Sequence, residues 1–286
     1  MDNSHTIFGR FAPSPTGPLH AGSLLAAVGS LLHVRAQGGL WRLRIDDIDP
    51  PRAAEGSVAA IEATLKAHGL RFDGNIQYQS HHIDRYEKAL QTLEDQGDLF
   101  HCACTRPMLS PNGSCQNGCA SKSHAKRALT SLRVRVPPET VIELNDAFLG
   151  PQNWNLGKQL TDFVVRRSDG LYAYQLAAGI DDAAPLTTQV IRGSDLLDST
   201  PRQIYLQQRL NLQSPEYGHL PILKDQHGFK LSKQQGAPAV DDHFPVRNLR
   251  ATLQALGQPC PPSRLNDYES LLDWSVSQWD PLRVPR

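Results

Sequence analysis

Four thiols lie close together in the chain, Cys102 and Cys104 followed by Cys115 and Cys119. They form a C-x-C pair and a C-x3-C pair, with Gly113 and Gly118 available for tight turns. Four soft ligands in so short a segment suit tetrahedral Zn2+ in a closed site, where the ion orders a stretch with almost no apolar core. No open coordination position is implied, so a structural ion is expected rather than a catalytic one. His101 and His124 flank the group and, beside a full cysteine set, are expected to be solvated. Cys260 stands apart and reads as a buried or inert thiol. With four of the five cysteines clustered, a disulfide framework is not indicated.

Two further groups suit a polyphosphate. Pro18-Leu19-His20-Ala21-Gly22-Ser23 follows a stiff, proline-rich stretch and opens a helical pattern. Helix N-termini expose unpaired N–H groups and partial positive charge, Gly22 permits close backbone approach, and His20 can donate to a phosphoryl oxygen. Far downstream, Phe229-Lys230-Leu231-Ser232-Lys233-Gln234-Gln235-Gly236 carries two lysines able to neutralise a leaving pyrophosphate. Gly228 and Gly236 leave room for such a loop to close. Neither the dinucleotide nor the P-loop glycine pattern occurs.

The elements that must position these groups alternate between strand and helix. Ile7 to Ala12 is a short apolar strand, Leu19 to Ala36 has helical apolar spacing ending at Gly38-Gly39, and Leu40 to Ile45 alternates as a strand before Asp46-Asp47-Ile48-Asp49. Such a strand–helix–strand unit implies a parallel sheet and an α/β fold. Helices are expected near Gly56 to His68 and Asp84 to Gln96. From about 100 to 135 the periodicity breaks into a loop-rich insertion, with strand character at Leu132 to Val136. A second α/β portion follows: strand Phe163 to Arg167, helix Tyr174 to Ile180, strand Thr188 to Arg192 and a helix from Thr200-Pro201. From Pro245 the spacing of Leu249, Leu253 and Leu256 is again helical.

The 286 residues carry 29 Lys plus Arg against 29 Asp plus Glu, and 40% are apolar. That composition excludes a disordered chain, and zero net charge announces no nucleic-acid partner by itself. No apolar run reaches the roughly 20 residues of a membrane span, and the first residues lack a secretory layout, so a cytoplasmic protein with no membrane partner is expected.

The pairing of Pro-Leu-His-Ala-Gly-Ser with Lys-Leu-Ser-Lys-Gln about 210 residues later resembles the two signatures of class I aminoacyl-tRNA synthetases. Arg10-Phe11-Ala12-Pro13-Ser14-Pro15-Thr16-Gly17 and Arg44-Ile45-Asp46-Asp47-Ile48-Asp49-Pro50-Pro51-Arg52 are similar to the glutamyl branch. With little chain after the lysines and a cysteine-bearing insertion, the whole resembles the shortened members that attach glutamate to queuosine at the wobble position of tRNA(Asp). The resemblance implies a Rossmann-type catalytic domain over 1–240 with its zinc-binding insertion. It also implies a short helical segment over 241–286, without a full anticodon-binding domain.

It further implies glutamate contacts from Arg10, Phe11, Ala12, Pro13, Ser14, Asp46, Tyr174 and Arg192, and ATP contacts from His20, Gly22 and Lys233, with Lys230 in support. The chemistry agrees, because an arginine fork matches a carboxylate and an acid at a strand's carboxyl end can accept from an α-ammonium. The family usually has Glu where Asp46 stands, which leaves Asp46 and Asp47 both open for that contact. Taken alone, the three acids also suit a capped turn or Mg2+, and Tyr174 also suits a core position.

The expected activity is ATP- and Mg2+-dependent activation of L-glutamate followed by transfer to the queuosine of tRNA(Asp), by a monomer. Conventional charging of a tRNA 3′ end and an inactive zinc-stabilised RNA-binding relative are the alternatives. Arg202 and the basic residues Lys122, Lys126, Arg127, Arg133 and Arg135 are candidate RNA contacts, though a solvated face is the more ordinary reading of such a run.

Overall fold

The computed structural model describes residues 6–110, 113–115, 117–121, 130–183, 187–223 and 238–286. In chain order the elements are β1 (Phe8–Phe11), α1 (Ala21–Arg35), β2 (Leu40–Ile45), α2 (Ser57–Ala67), β3 (Gln77–Tyr78), α3 (Ile83–Asp95) and β4 (Leu99–Cys102). Then come β5 (Ser131–Val134), β6 (Val141–Asp146), β7 (Gly150–Asn155), α4 (Leu156–Gln159), β8 (Phe163–Arg166), α5 (Tyr174–Asp182), β9 (Gln189–Gly193), α6 (Thr200–Arg209), β10 (Glu216–Leu220), α7 (Pro245–Ala255) and α8 (Tyr268–Ser277).

The main sheet is parallel throughout and runs β10-β9-β1-β2-β3. From β1 the chain builds outward through β2 and β3, then returns to build the other half through β9 and β10. The order therefore reverses between β1 and β9, and open α/β sheets bind ligands outside the strands' carboxyl ends at such a point. Helix α1 closes over β1 at short range, since a β-carbon on Gly9 would overlap Val34. Leu24, Leu25, Val28 and Leu32 of α1 form one core with Trp41, Leu43 and Ile45 of β2.

Two smaller sheets interrupt the parallel one. β4, β5 and β8 make an antiparallel layer that carries the cysteine segment between β4 and β5, and β6 with β7 makes a hairpin. The hairpin and β10 have no counterpart in the sequence expectations, and the insertion opens with a true strand in place of the loop expected from Phe100. Leu249, Leu253 and Leu256 of the α7 region and Leu271 and Leu272 of α8 join the α1 core. Among the described residues no helix is long and apolar enough to cross a membrane.

Candidate active site

A cavity of about 1160 Å³ opens above the carboxyl ends of β1, β2 and β9. It exceeds the roughly 300–1,000 Å³ usual for one small ligand, so more than one small molecule can be accommodated. Arg10, Phe11, Ala12, Pro13, Ser14, His20, Gly22, Asp46, Tyr174 and Arg192 all line it. Residues expected to act together, from Arg10 near the start of the chain to Arg192 on β9, thus share one space. Part of the wall, Cys102 to Arg106, comes from the cysteine segment.

The floor is a buried chain of charges. Arg10 donates from Nε and one terminal nitrogen to the two oxygens of Asp182, both at 2.9 Å. Arg44 donates to Asp182 at 2.8 Å and to Asp46 at 2.7 and 3.3 Å. Burial disfavours ionised Asp182, yet the two guanidiniums hold its carboxyl well below the usual carboxylate range. For Asp46 burial wins over Arg44 and pushes the carboxyl up to about 6. Asp47 is turned away, accepting from the Ser80 backbone and hydroxyl at 2.8 and 2.7 Å. Of the two acids left open by the sequence, Asp46 is therefore the one beside the cavity.

Arg192 is buried at the end of β9 and donates to the Tyr174 hydroxyl at 3.3 Å, from the first turn of α5. It also lies 5.3 Å above the Tyr217 ring.

His20 serves as the N-cap of α1. Its Nδ1 accepts from the backbone N–H groups of Gly22 and Ser23 at 3.1 and 3.3 Å. The ring takes two amides that the sequence offered to phosphate, and in exchange the cap fixes the tautomer, leaving the proton on Nε2. Lys230 and Lys233 lie outside the described residues. The chain on either side of them is described: Pro221, Ile222 and Leu223 line the cavity, Ala239 bridges to His20, and Val240 donates to the Leu19 carbonyl at 2.9 Å.

The four thiols meet as their spacing predicts. All four sulfurs lie within 4.8 Å of one another, with Cys104 Sγ 3.5 Å from Cys115 and 3.7 Å from Cys119. Tetrahedral Zn–S bonds of about 2.3 Å put sulfurs about 3.8 Å apart, so the set fits zinc. Asn117 donates to the Cys104 sulfur at 3.3 Å. His101 is hydrogen-bonded to Thr130, and His124 lies outside the described residues. Cys260 is exposed, which removes the buried alternative of the buried-or-inert reading: its segment follows α7 over the surface between prolines.

Residues 6–249 match the model of the catalytic domain of class I tRNA synthetases for E and Q. The chain is 47% identical over 279 residues to a glutamyl-Q tRNA(Asp) synthetase of Xanthomonas campestris pv. campestris, covering 97% of this chain and 93% of that relative. It is 43% identical over 287 residues to the protein of that name in Pseudomonas fluorescens, covering 99% and 95%. The chain belongs to the class I tRNA synthetases, in the family of the glutamyl-Q tRNA(Asp) synthetases.

Membership makes it an ATP-dependent ligase. The crystal structure of a glutamate tRNA ligase from Elizabethkingia meningosepticum has the same fold, with a TM-score of 0.79 at 24% identity. The alignment covers 98% of this synthetase chain and 66% of that one. Sequence reasoning on this family member missed Asp182, the residue that ties Arg10 to Arg44. The signal was present, because Asp181 and Asp182 end an apolar helix stretch, Leu176 to Ile180, where unpaired acids would be unstable. Asp181 is likewise satisfied, accepting from Gln79, His82 and Tyr86 at 3.0, 2.9 and 2.6 Å.

Proposed function

We propose that the cavity activates L-glutamate with ATP and that the glutamyl group is then passed to queuosine in tRNA(Asp). The observation that carries this is the convergence on one cavity of Arg10, Ser14, Asp46 and Arg192 from three strand ends, beside the His20 cap and both flanks of the lysine segment. Arg192 and Arg10, whose second terminal nitrogen also donates to the Ile191 carbonyl at 3.4 Å, receive carboxylate oxygens, Tyr174 supports Arg192, and Asp46 accepts from the α-ammonium.

In the first step an oxygen of the glutamate α-carboxylate bonds to the α-phosphorus of ATP as the bond to the bridging oxygen breaks and pyrophosphate leaves. His20 donates from Nε2 to a phosphoryl oxygen, Gly22 packs closely against the nucleotide, and Lys230 and Lys233 offset the leaving charge. Mg2+ bound with ATP would share that charge. In the second step the oxygen of a queuosine ring hydroxyl bonds to the activated carbonyl carbon, the bond from that carbon to the phosphate oxygen breaks, AMP departs and the hydroxyl proton passes to solvent.

Zn2+ on the four thiolates would fix the wall formed by Cys102 to Arg106. The catalytic unit spans 1–240, with 241–286 as a helical segment, in a cytoplasmic monomer. Arg133 is bonded inward to backbone carbonyls of Gly113 and Asp162, which argues against it as an RNA contact.

Glutamate-dependent ATP–pyrophosphate exchange without tRNA is the expected result, followed by labelled glutamate appearing on queuosine-containing tRNA(Asp) and not on the queuosine-lacking form. Absence of exchange supports the inactive relative. Label on a tRNA 3′ end supports conventional charging.

A further inference from the structure

We infer that Asp146, His219 and Thr200 form a buried relay that holds Arg192 in its carboxylate-binding orientation, although none of the three lines the cavity. The inference rests on the reading of Arg192 as a substrate ligand and adds three residues to it. Asp146 ends β6, His219 lies on β10, and Thr200 is the first residue of α6. Thr200 and His219 are fully buried and Asp146 is nearly so.

The hydrogen-bond directions are determined by elimination. The Asp146 carboxylate can only accept, and its Oδ2 lies 2.5 Å from His219 Nδ1, so Nδ1 carries the proton. Burial above all keeps His219 below its ordinary range, hence neutral. Nε2 must then accept, and its neighbours are the Thr200 hydroxyl at 2.9 Å and Arg192 Nε at 3.4 Å. The Thr200 hydroxyl has two acceptors in reach, His219 Nε2 and, farther off at 3.4 Å, the Leu196 carbonyl; the nearer takes the proton, and Oγ1 faces Arg192 as an acceptor at 2.8 Å. The chain ends on the guanidinium, which donates to both Thr200 and His219.

Of the five N–H groups of Arg192, His219, Thr200 and Tyr174 take three. Among the described residues no partner takes the remaining N–H on each terminal nitrogen, which is directed to a ligand in this reading. Asp146 Oδ1 is fixed in turn by the backbone N–H groups of Phe148, Leu149 and His219, at 3.0, 3.0 and 3.2 Å. Through His219, the register neighbour of Arg192 on the adjoining strand, the β6–β7 turn thereby anchors a substrate-facing arginine.

Thr200→Val removes the hydroxyl at nearly constant shape and Thr200→Ser restores it. Asp146→Asn presents an N–H to Nδ1 and forces the other tautomer, which turns Nε2 into a donor facing Arg192. Kinetics of the exchange reaction read the effect. For Thr200→Val and Asp146→Asn the KM for glutamate should rise about tenfold or more, with the KM for ATP within about twofold, and Thr200→Ser should return near wild type. A folded Thr200→Val with wild-type glutamate KM overturns the relay, as does a parallel rise in the ATP KM. Wild-type protein that neither exchanges nor binds glutamate in calorimetry would remove the reading of the site first, and the relay with it.

Discussion

Burial pushes the Asp46 carboxyl up to about 6 while Arg44 still holds both its oxygens, so fold and ligand ask for opposite protonation states. A folded-state value above the unfolded one means that the fold prefers the acid protonated. That contribution to stability is present at low pH and is lost as pH rises through about 6. An α-ammonium needs the ionised form. The KM for glutamate is therefore expected to climb as pH falls through about 6, by up to tenfold per unit, and Asp46→Asn should raise it throughout and flatten that limb. A pH series of exchange kinetics checks this. Asp46 was legible in the sequence because it follows an alternating strand. Its setting was not, because the second carboxylate on Arg44 comes from 138 positions away.

Helix α1 begins on a residue that both caps it and faces the cavity, and substitution can separate the two roles. His20→Ala removes the cap and should cost about 1 kcal/mol in a urea titration. His20→Asn keeps a good cap but loses the Nε2 donor, so it should retain stability while kcat for exchange falls about 10²–10³-fold. The cysteine segment is an element ordered from outside itself: among the described residues its apolar cluster consists of Phe100, Cys102 and Cys119 and their partly buried neighbours. Elemental analysis should find one zinc per chain, and chelation should admit protease between 102 and 121 while the parallel sheet stays protected.

Helices were legible because apolar residues recur at fixed spacing and caps or glycines mark their ends. The β6–β7 hairpin was not, since its exposed positions, among them Glu143 and Asn153, leave little apolar alternation to read. β10 is an edge strand whose Gly218 and His219 interrupt its apolar pattern, and its strand form is set by pairing with β9.

At the scale of the molecule, the C-terminal helices are tied to the first helix of the chain. Leu253 of α7 is buried in the same cluster as Leu24, Val28 and Leu32 of α1. Leu253→Ala should lower the unfolding free energy of the whole chain by about 2–5 kcal/mol, in one transition seen equally by circular dichroism and by Trp41 fluorescence.

Arg10, Arg44, Asp46 and Asp182 together bring two positive and two negative charges under the cavity. Fully ionised, this floor sums to nothing. These four charges therefore exert little pull on a dissolved amino acid at a distance, and background electrolyte has scant long-range attraction from them to weaken. Discrimination happens on arrival, through which charge stands beside which, rather than through how many there are.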